Sequence, residues 1–198
     1  SSYTLTQDDL DTSISLNASY VDSFGTNEII TTNGTAKVQL GPSLTRNEDF
    51  TLPSLDHVLD LTLTGTGHFF GIGNTNNNTI IGNSSNNNIQ GLDGNDTLDG
   101  GDGADTLTGG AGIDTFVIRS GDGGSDIADA DVITDFDYGS DSDIIGMDGL
   151  EQSQLTVEQG TGSYSSHVVV KKTDTGEFLI VIQNISLSNI SDADFSAI

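Results

Sequence analysis

The chain predicts an all-β fold: a parallel β-roll (β-solenoid) of nonapeptide repeats, flanked by an N-terminal β region and a C-terminal β-strand cap. Three observations carry that prediction. Asp96, Asp105 and Asp114 stand nine residues apart. Each closes a glycine-rich run: Gly91-Leu92-Asp93-Gly94-Asn95-Asp96, Gly100-Gly101-Asp102-Gly103-Ala104-Asp105 and Gly109-Gly110-Ala111-Gly112-Ile113-Asp114. Each is followed two residues later by an apolar side chain, Leu98, Leu107 or Phe116. Glycine adopts positive φ without steric cost, so each run turns tightly with carbonyl oxygens pointing inward. The next three residues then make a short strand with one apolar side chain in the core. Two such units close one coil, so Asp96 and Asp114 should lie about 4.8 Å apart on stacked coils.

The elements divide into three regions. Residues 1–63 are rich in Thr, Ser and Asn with alternating apolar positions, which reads as short strands. Asn33-Gly34 between residues 28–32 and 35–40 predicts a hairpin, because Asn-Gly suits a type I′ turn. Leu59, Leu61 and Leu63 fall on one face of a further strand. Residues 64–126 form the roll. Its nine-residue frame extends backward through Asn78 and Asn87, which stand in the carboxylate position, with Ile80 and Ile89 in the apolar position. Asn tolerates turn conformations and its amide bonds to neighbouring coils, so these two turns are expected to be weak or metal-free rungs. Residues 127–198 form the cap. The frame breaks after Phe116, strands are expected at 131–136 and 143–145, and 167–172 and 177–182 predict a hairpin about Asp174-Thr175-Gly176. Such a hairpin covers the last exposed coil.

Composition narrows the partners. The chain has 198 residues with 33% hydrophobic content, enough for one elongated domain or two small ones. Thirty acidic residues against five basic ones give a formal charge of −25, which opposes compaction unless cations bind. Phosphate recognition needs clustered Lys and Arg, so nucleic acid is excluded, and anionic membranes are disfavoured for the same reason. No run of 18 apolar residues exists to span a membrane. The chain begins at Ser1 without an apolar signal segment, which suggests a piece of a longer protein. High acidity with few aromatics would ordinarily read as disorder; strict periodicity argues instead for order conditional on a metal.

Two carboxylates about 5 Å apart repel by about 0.8 kcal/mol in water and about 3 kcal/mol at an effective dielectric near 20. A hard divalent cation between successive turns reverses that sign, and carboxylate plus backbone oxygens are the ligands Ca²⁺ prefers. Mg²⁺ demands tighter octahedral geometry and holds its waters. There is no cysteine, and His57, His68 and His167 are scattered, so zinc, copper and iron are poorly supplied. Asp96, Asp105 and Asp114 are the primary candidate ligands. Backbone oxygens would come from the turn positions Gly91, Gly100, Gly103, Gly109, Ala111 and Gly112. Asp93 and Asp102, inside the turns, fit equally as ligands or as solvated loop charges, and Asp122, Asp126 and Asp131 are candidates for a site at the frame break. Asp135, Asp137, Asp141 and Asp143 read as charges flanking strands. An EF-hand beginning at Asp141 fails, since its fifth and twelfth positions are Ile145 and Gln152. No His-Glu-x-x-His, no Gly-x-Ser-x-Gly elbow and no convergent nucleophile and base appear, so catalysis is not expected. Thr79, Thr97 and Thr115 fall in register, but an ice-binding array needs many more rungs.

The Asp turns match the nonapeptide G-G-x-G-x-D-x-U-x of the RTX calcium-binding family, with Leu92 standing where the second glycine belongs. Residues 64–150 resemble the carboxy-terminal region of type I secreted RTX proteins. The segment 109–117 followed by 131–137 is similar to the stretch joining repeats to the secretion-signal region in RTX adhesins, serralysin-type proteases and accessory modules of alginate epimerases. That resemblance implies a right-handed roll holding several Ca²⁺ ions between turns. It also implies export unfolded by the type I secretion machinery through an uncleaved carboxy-terminal signal, to the exterior or surface of a bacterium. Calcium is scarce in the cytosol and plentiful outside, and an ion that binds only the folded chain stabilises it by mass action. The reading is a non-enzymatic calcium-folding module of a larger secreted protein, an adhesin before a hydrolase, monomeric as a fragment. The alternative is a carbohydrate-binding accessory module in which bound Ca²⁺ bridges to a glycan.

Overall fold

The computed structural model describes residues 19–21, 27–29, 43–54, 59–139 and 142–198. The expected Asn33-Gly34 hairpin, His57 and Asp141 lie outside the described residues. Strands β1 (Ser19–Val21) and β2 (Asn27–Ile29) pair antiparallel with each other. From Ser43 to Asp148 the strands alternate between two sheets. One holds β3 (Ser43–Arg46), β5 (Asp60–Leu63), β7 (Thr79–Ile81), β9 (Thr97–Asp99), β11 (Thr115–Arg119), β13 (Ile144–Asp148) and β17 (Phe195–Ala197). The other holds β4 (Phe50–Thr51), β6 (Phe70–Ile72), β8 (Asn88–Asp93), β10 (Thr106–Ala111), β12 (Asp131–Ile133), β16 (Phe178–Ile182), β15 (Val168–Lys172) and β14 (Leu155–Gln159). All pairings from β3 to β13 are parallel. This is the geometry of a chain wound as a β-roll, one strand per sheet in each coil.

The predicted apolar position is the core. Ile80, Leu98, Phe116 and Ile145 stack in register through one sheet, and Ile89, Leu107, Ile133 and Ile182 through the other. All eight are fully buried. Burying each such side chain contributes about 1.5–3 kcal/mol, which offsets the ordering cost of the short strands. Upstream, Leu61 and Leu63 are buried as the alternation predicts. At Gly71, in register with Ile89, an added Cβ would meet Ile80 and Leu63 at 3.3 Å, so the chain gives up a side chain there.

The sequence break after Phe116 does not interrupt the coil. Asp105 bonds to Asp131 over a separation of 26 residues, and Asp114 to Asp143 over 29, where the repeats use 18. The additional residues loop out, with a short 3₁₀ turn at Ile127–Asp129 capped by Asp126, whose carboxylate accepts from Ala128 N–H at 3.0 Å. The ladder thus reaches from residue 43 past residue 126. The expected hairpin is β15–β16, with Lys172 to Glu177 closing its turn at 2.8 Å. β16 joins β12 and β17 joins β13 in parallel register, so the cap is continuous with the last coil. β14 adds an antiparallel edge strand that the sequence reading did not anticipate.

Candidate metal centre

Stacking the coils brings the carboxylate positions into two columns. Along one, Asn78 N–H donates to Asp96 Oδ1 (2.7 Å), Asp96 N–H to Asp114 Oδ1 (2.8 Å) and Asp114 N–H to Asp143 Oδ1 (2.9 Å). Along the other, Asn87 N–H donates to Asp105 Oδ1 (2.5 Å) and Asp105 N–H to Asp131 Oδ1 (2.8 Å). Each carboxylate therefore spends one oxygen on the coil before it. The second oxygen of Asp96, Asp105 and Asp114 is buried with no partner. These residues are at most 1% exposed. A buried anionic oxygen without a donor is costly, since charge taken from water must be compensated.

The surroundings of those oxygens fit a hard cation. A Cβ on Gly91 would collide with Asp96 Oδ2 and come within 2.6 Å of the Gly109 carbonyl oxygen. Gly100 and Gly109 stand in the same relation to Asp105 Oδ2 and Asp114 Oδ2. Absence of a side chain at the first turn position thus leaves a cradle bordered by the carboxylate in all three turns, and by a carbonyl oxygen as well at Gly91. Among the described residues no three His, Cys, Asp or Glu side chains gather into a metal cluster. A cation here would accordingly draw much of its shell from backbone carbonyls, which suits Ca²⁺ and not zinc.

Burial and neighbouring charge leave their mark on titration. Desolvation raises Asp96 and Asp105 to about 7; the Asp114 and Asp93 charges add to the first, and Asp122 and Asp99 to the second. Asp114 is raised for the same leading reason, and Asp131 is raised well above the ordinary carboxylate range by burial and by Asp105. Backbone N–H bonds oppose these shifts without cancelling them.

The remaining predicted positions separate. Asp93 and Asp102 are exposed at the turns, where their charges reach Asp96 and Asp122. Gly103 and Gly112 take φ of 121° and 133° at the fourth turn position, and Ala111 is exposed in register with Asp93. Asp131 joins a column. Asp122 is buried and raised to about 7 by desolvation, with one oxygen accepting from Arg119 N–H at 3.0 Å and the other lacking a hydrogen bond, 3.8 Å from the Arg119 guanidinium. Two residues read only as flanking charge hold the end of the ladder. Asp143 accepts from Asp114 N–H and from Asp137 N–H at 2.8 Å, and Asp135 accepts from Gly109 N–H (3.0 Å) and Gly110 N–H (2.9 Å). His68 and His167 stand apart from these columns: His68 contacts Asn86 O, and His167 contacts Ser166 and Asn184 N–H.

Comparison with known families agrees with this geometry. The model of the RTX calcium-binding nonapeptide repeat, in four copies, matches residues 72–107 and 81–116. Repeats of that family bind Ca²⁺ between their turns, several ions to a roll, and are structural calcium-binding units. No curated protein matches the chain.

Proposed function

We propose, taking residues 72–116 as RTX calcium-binding nonapeptide repeats, that this chain is the calcium-folded module of a secreted bacterial protein. The observation that carries this reading is the set of orphaned, buried second oxygens on Asp96, Asp105 and Asp114 beside glycine cradles. Those three carboxylates, with carbonyl oxygens from Gly91, Gly100, Gly103, Gly109, Ala111 and Gly112, form the ion sites. Asp93 and Asp102 add charge at the turns; Asp131 closes its column where the repeats end, and Asp122 adds charge beside it. Without calcium the −25 chain repels itself and its Asp coils stay loose. After export into millimolar calcium each bound ion adds its mass-action term and the coils close together.

Residues 127–198 carry the carboxy-terminal export region of the type I pathway in this reading, and the parent protein is an adhesin before a hydrolase. The glycan-binding alternative would use bound Ca²⁺ as the bridge, because the acidic surface repels polyanionic sugars. The test is elemental analysis of the purified chain together with circular dichroism in a calcium titration. Several equivalents of calcium and a cooperative gain of β signal are expected. A spectrum unchanged by EDTA, with no bound calcium, would remove the proposal.

A further inference from the structure

The five turns that begin at Gly73, Gly82, Gly91, Gly100 and Gly109 come in two backbone conformations. In the three Asp turns the second and fourth positions are both left-handed: Leu92 and Gly94 at 84° and 125°, Gly101 and Gly103 at 83° and 121°, Gly110 and Gly112 at 106° and 133°. In the two Asn turns, residues 73–78 and 82–87, no residue has positive φ. Asn74, Asn76, Asn83 and Ser85 occupy the corresponding second and fourth positions. Different φ at two positions in six turns the carbonyl oxygens differently, so the Asn turns are not Asp turns with the charge removed.

What fills them is the second-position carboxamide. Asn74 Nδ2 donates to Pro53 O at 2.9 Å on the preceding coil, and Asn83 Nδ2 donates to Gly67 O at 2.9 Å. Inside the turn, Asn74 Oδ1 accepts from Asn76 N–H, and Asn83 Oδ1 from Ser85 N–H, both at 2.9 Å. Asn78 and Asn87 in turn accept from the N–H of Asn74 and Asn83 at 2.7 and 2.8 Å. An amide thus supplies a neutral donor to a carbonyl oxygen of the coil before, the kind of group that a cation coordinates. No buried side-chain acceptor is orphaned in either Asn turn; the one buried side-chain atom without a partner there is Asn87 Nδ2, a donor, which repels a cation.

We propose that Asn74 and Asn83 exclude calcium from the two upstream turns by taking its place. The roll then has an upstream part that coils without metal and a downstream part that requires it. The inference rests on the reading that the Asp turns bind calcium. It also gives the upstream part a role. Asn78 N–H and Asn87 N–H are the donors to Asp96 and Asp105, so a preformed Asn ladder offers the first carboxylate of each column a docking point before any ion arrives.

The test uses the full chain in two measurements. The first is hydrogen exchange in EDTA: backbone amides of residues 73–90 should stay protected relative to those of 94–116. Equal exchange across both segments would overturn the proposal. The second is the triple variant Asn83→Gly, Ser85→Gly, Asn87→Asp, which converts that turn to the glycine pattern of the downstream ones. Calcium titration should show one more bound ion than the parent, and the EDTA protection of residues 82–90 should fall to the downstream level. An unchanged calcium count in a variant that folds normally in calcium would overturn the assignment. A parent chain that bound no calcium would overturn both this and the function reading, and the same titration tells that outcome apart.

Discussion

The backbone N–H of Asp96 donates to Oδ1 of Asp114 across 18 residues at 2.8 Å, while Oδ2 of Asp114 is buried and bonded to nothing. One carboxylate thus fixes coil register with one oxygen and leaves the other for the cation of the proposed function. Asp114→Asn separates them. The amide keeps the acceptor for Asp96 N–H and removes the charge, so coil register survives while the ion loses its anionic ligand. We expect the calcium midpoint of folding to rise roughly tenfold, about 1.4 kcal/mol, with stability in EDTA equal to or above that of the parent. Asp114→Ala should lose in both conditions. Paired calcium titrations and EDTA melts check this, and a fall for Asp114→Asn in EDTA would contradict it.

Acidity should favour the calcium-free roll. Asp96, Asp105 and Asp122 are raised to about 7 and Asp143 to about 6, chiefly by burial, whereas an unfolded Asp titrates near 3.9. The folded state therefore binds more protons than the unfolded one between about pH 4 and pH 7. Stability in EDTA falls as pH rises through that window, the penalty being absent below about pH 4 and complete above about pH 7. Calcium binds the ionised forms, so its stabilisation runs the other way and each binding event releases protons. Denaturant melts at pH 4.5 and pH 8, with and without calcium, should show opposite pH trends. A calcium-free chain more stable at pH 8 would refute this.

Leu92 sits at φ 84°, where Gly101 and Gly110 take 83° and 106° in the next two turns. An L side chain there costs about 1–2 kcal/mol, and Leu92 is 41% exposed, so little burial offsets the cost. Leu92→Gly should raise stability in calcium by about 1 kcal/mol. The reverse change, Gly110→Ala, places a Cβ against the Leu92 carbonyl and should lower it by more than 1 kcal/mol. Chemical denaturation of the two variants gives the comparison, and equal effects of the same sign would count against it.

Asp143 closes its column by accepting from both Asp114 N–H and Asp137 N–H. Asp143→Ala leaves two backbone donors without a partner; the one on fully buried Asp114 costs about 1–3 kcal/mol, while exposed Asp137 turns to water. We expect a loss of about 1–3 kcal/mol in calcium, with Asp143→Asn recovering part of it by restoring one acceptor. Thermal or urea melts measure this directly.

That residue also marks where the sequence stops being legible. Leu98, Leu107 and Phe116 announced the core because an inward side chain every nine residues has no other use, and Asp96, Asp105 and Asp114 announced the columns through the same period. Asp131 and Asp143 hold equivalent places, but loops of different length precede them, and period carries no information once spacing changes from 18 to 26 and 29. The signal that remained was local: Asp131-Val132-Ile133 and Asp143-Ile144-Ile145 each repeat the carboxylate followed two residues later by an apolar side chain. Residues 43–63 entered the ladder for the opposite reason. Their alternation specified strands, while the parallel partner that assigns a strand to a coil is a long-range fact.

Arg119 spans three coils without help from calcium. Its guanidinium donates to both oxygens of Asp99 at 2.9 and 2.6 Å, and its Nε to Asp148 at 3.2 Å, which ties β9 and β13 to its own strand β11. Asp99 is 8% exposed, so removing its partner leaves a buried charge uncompensated, and the Arg119 guanidinium is held more firmly protonated by that pair. Side-chain exposure of 32% at Arg119 admits some solvent screening and lowers the cost from the fully buried case. Arg119→Met should therefore cost roughly 2–3 kcal/mol in calcium. The double variant Arg119→Met, Asp99→Asn should recover at least half of that, since the neutral amide needs no cation. Additive losses in the double-mutant cycle would show that packing of the arginine stem, and not its charge, joins the coils.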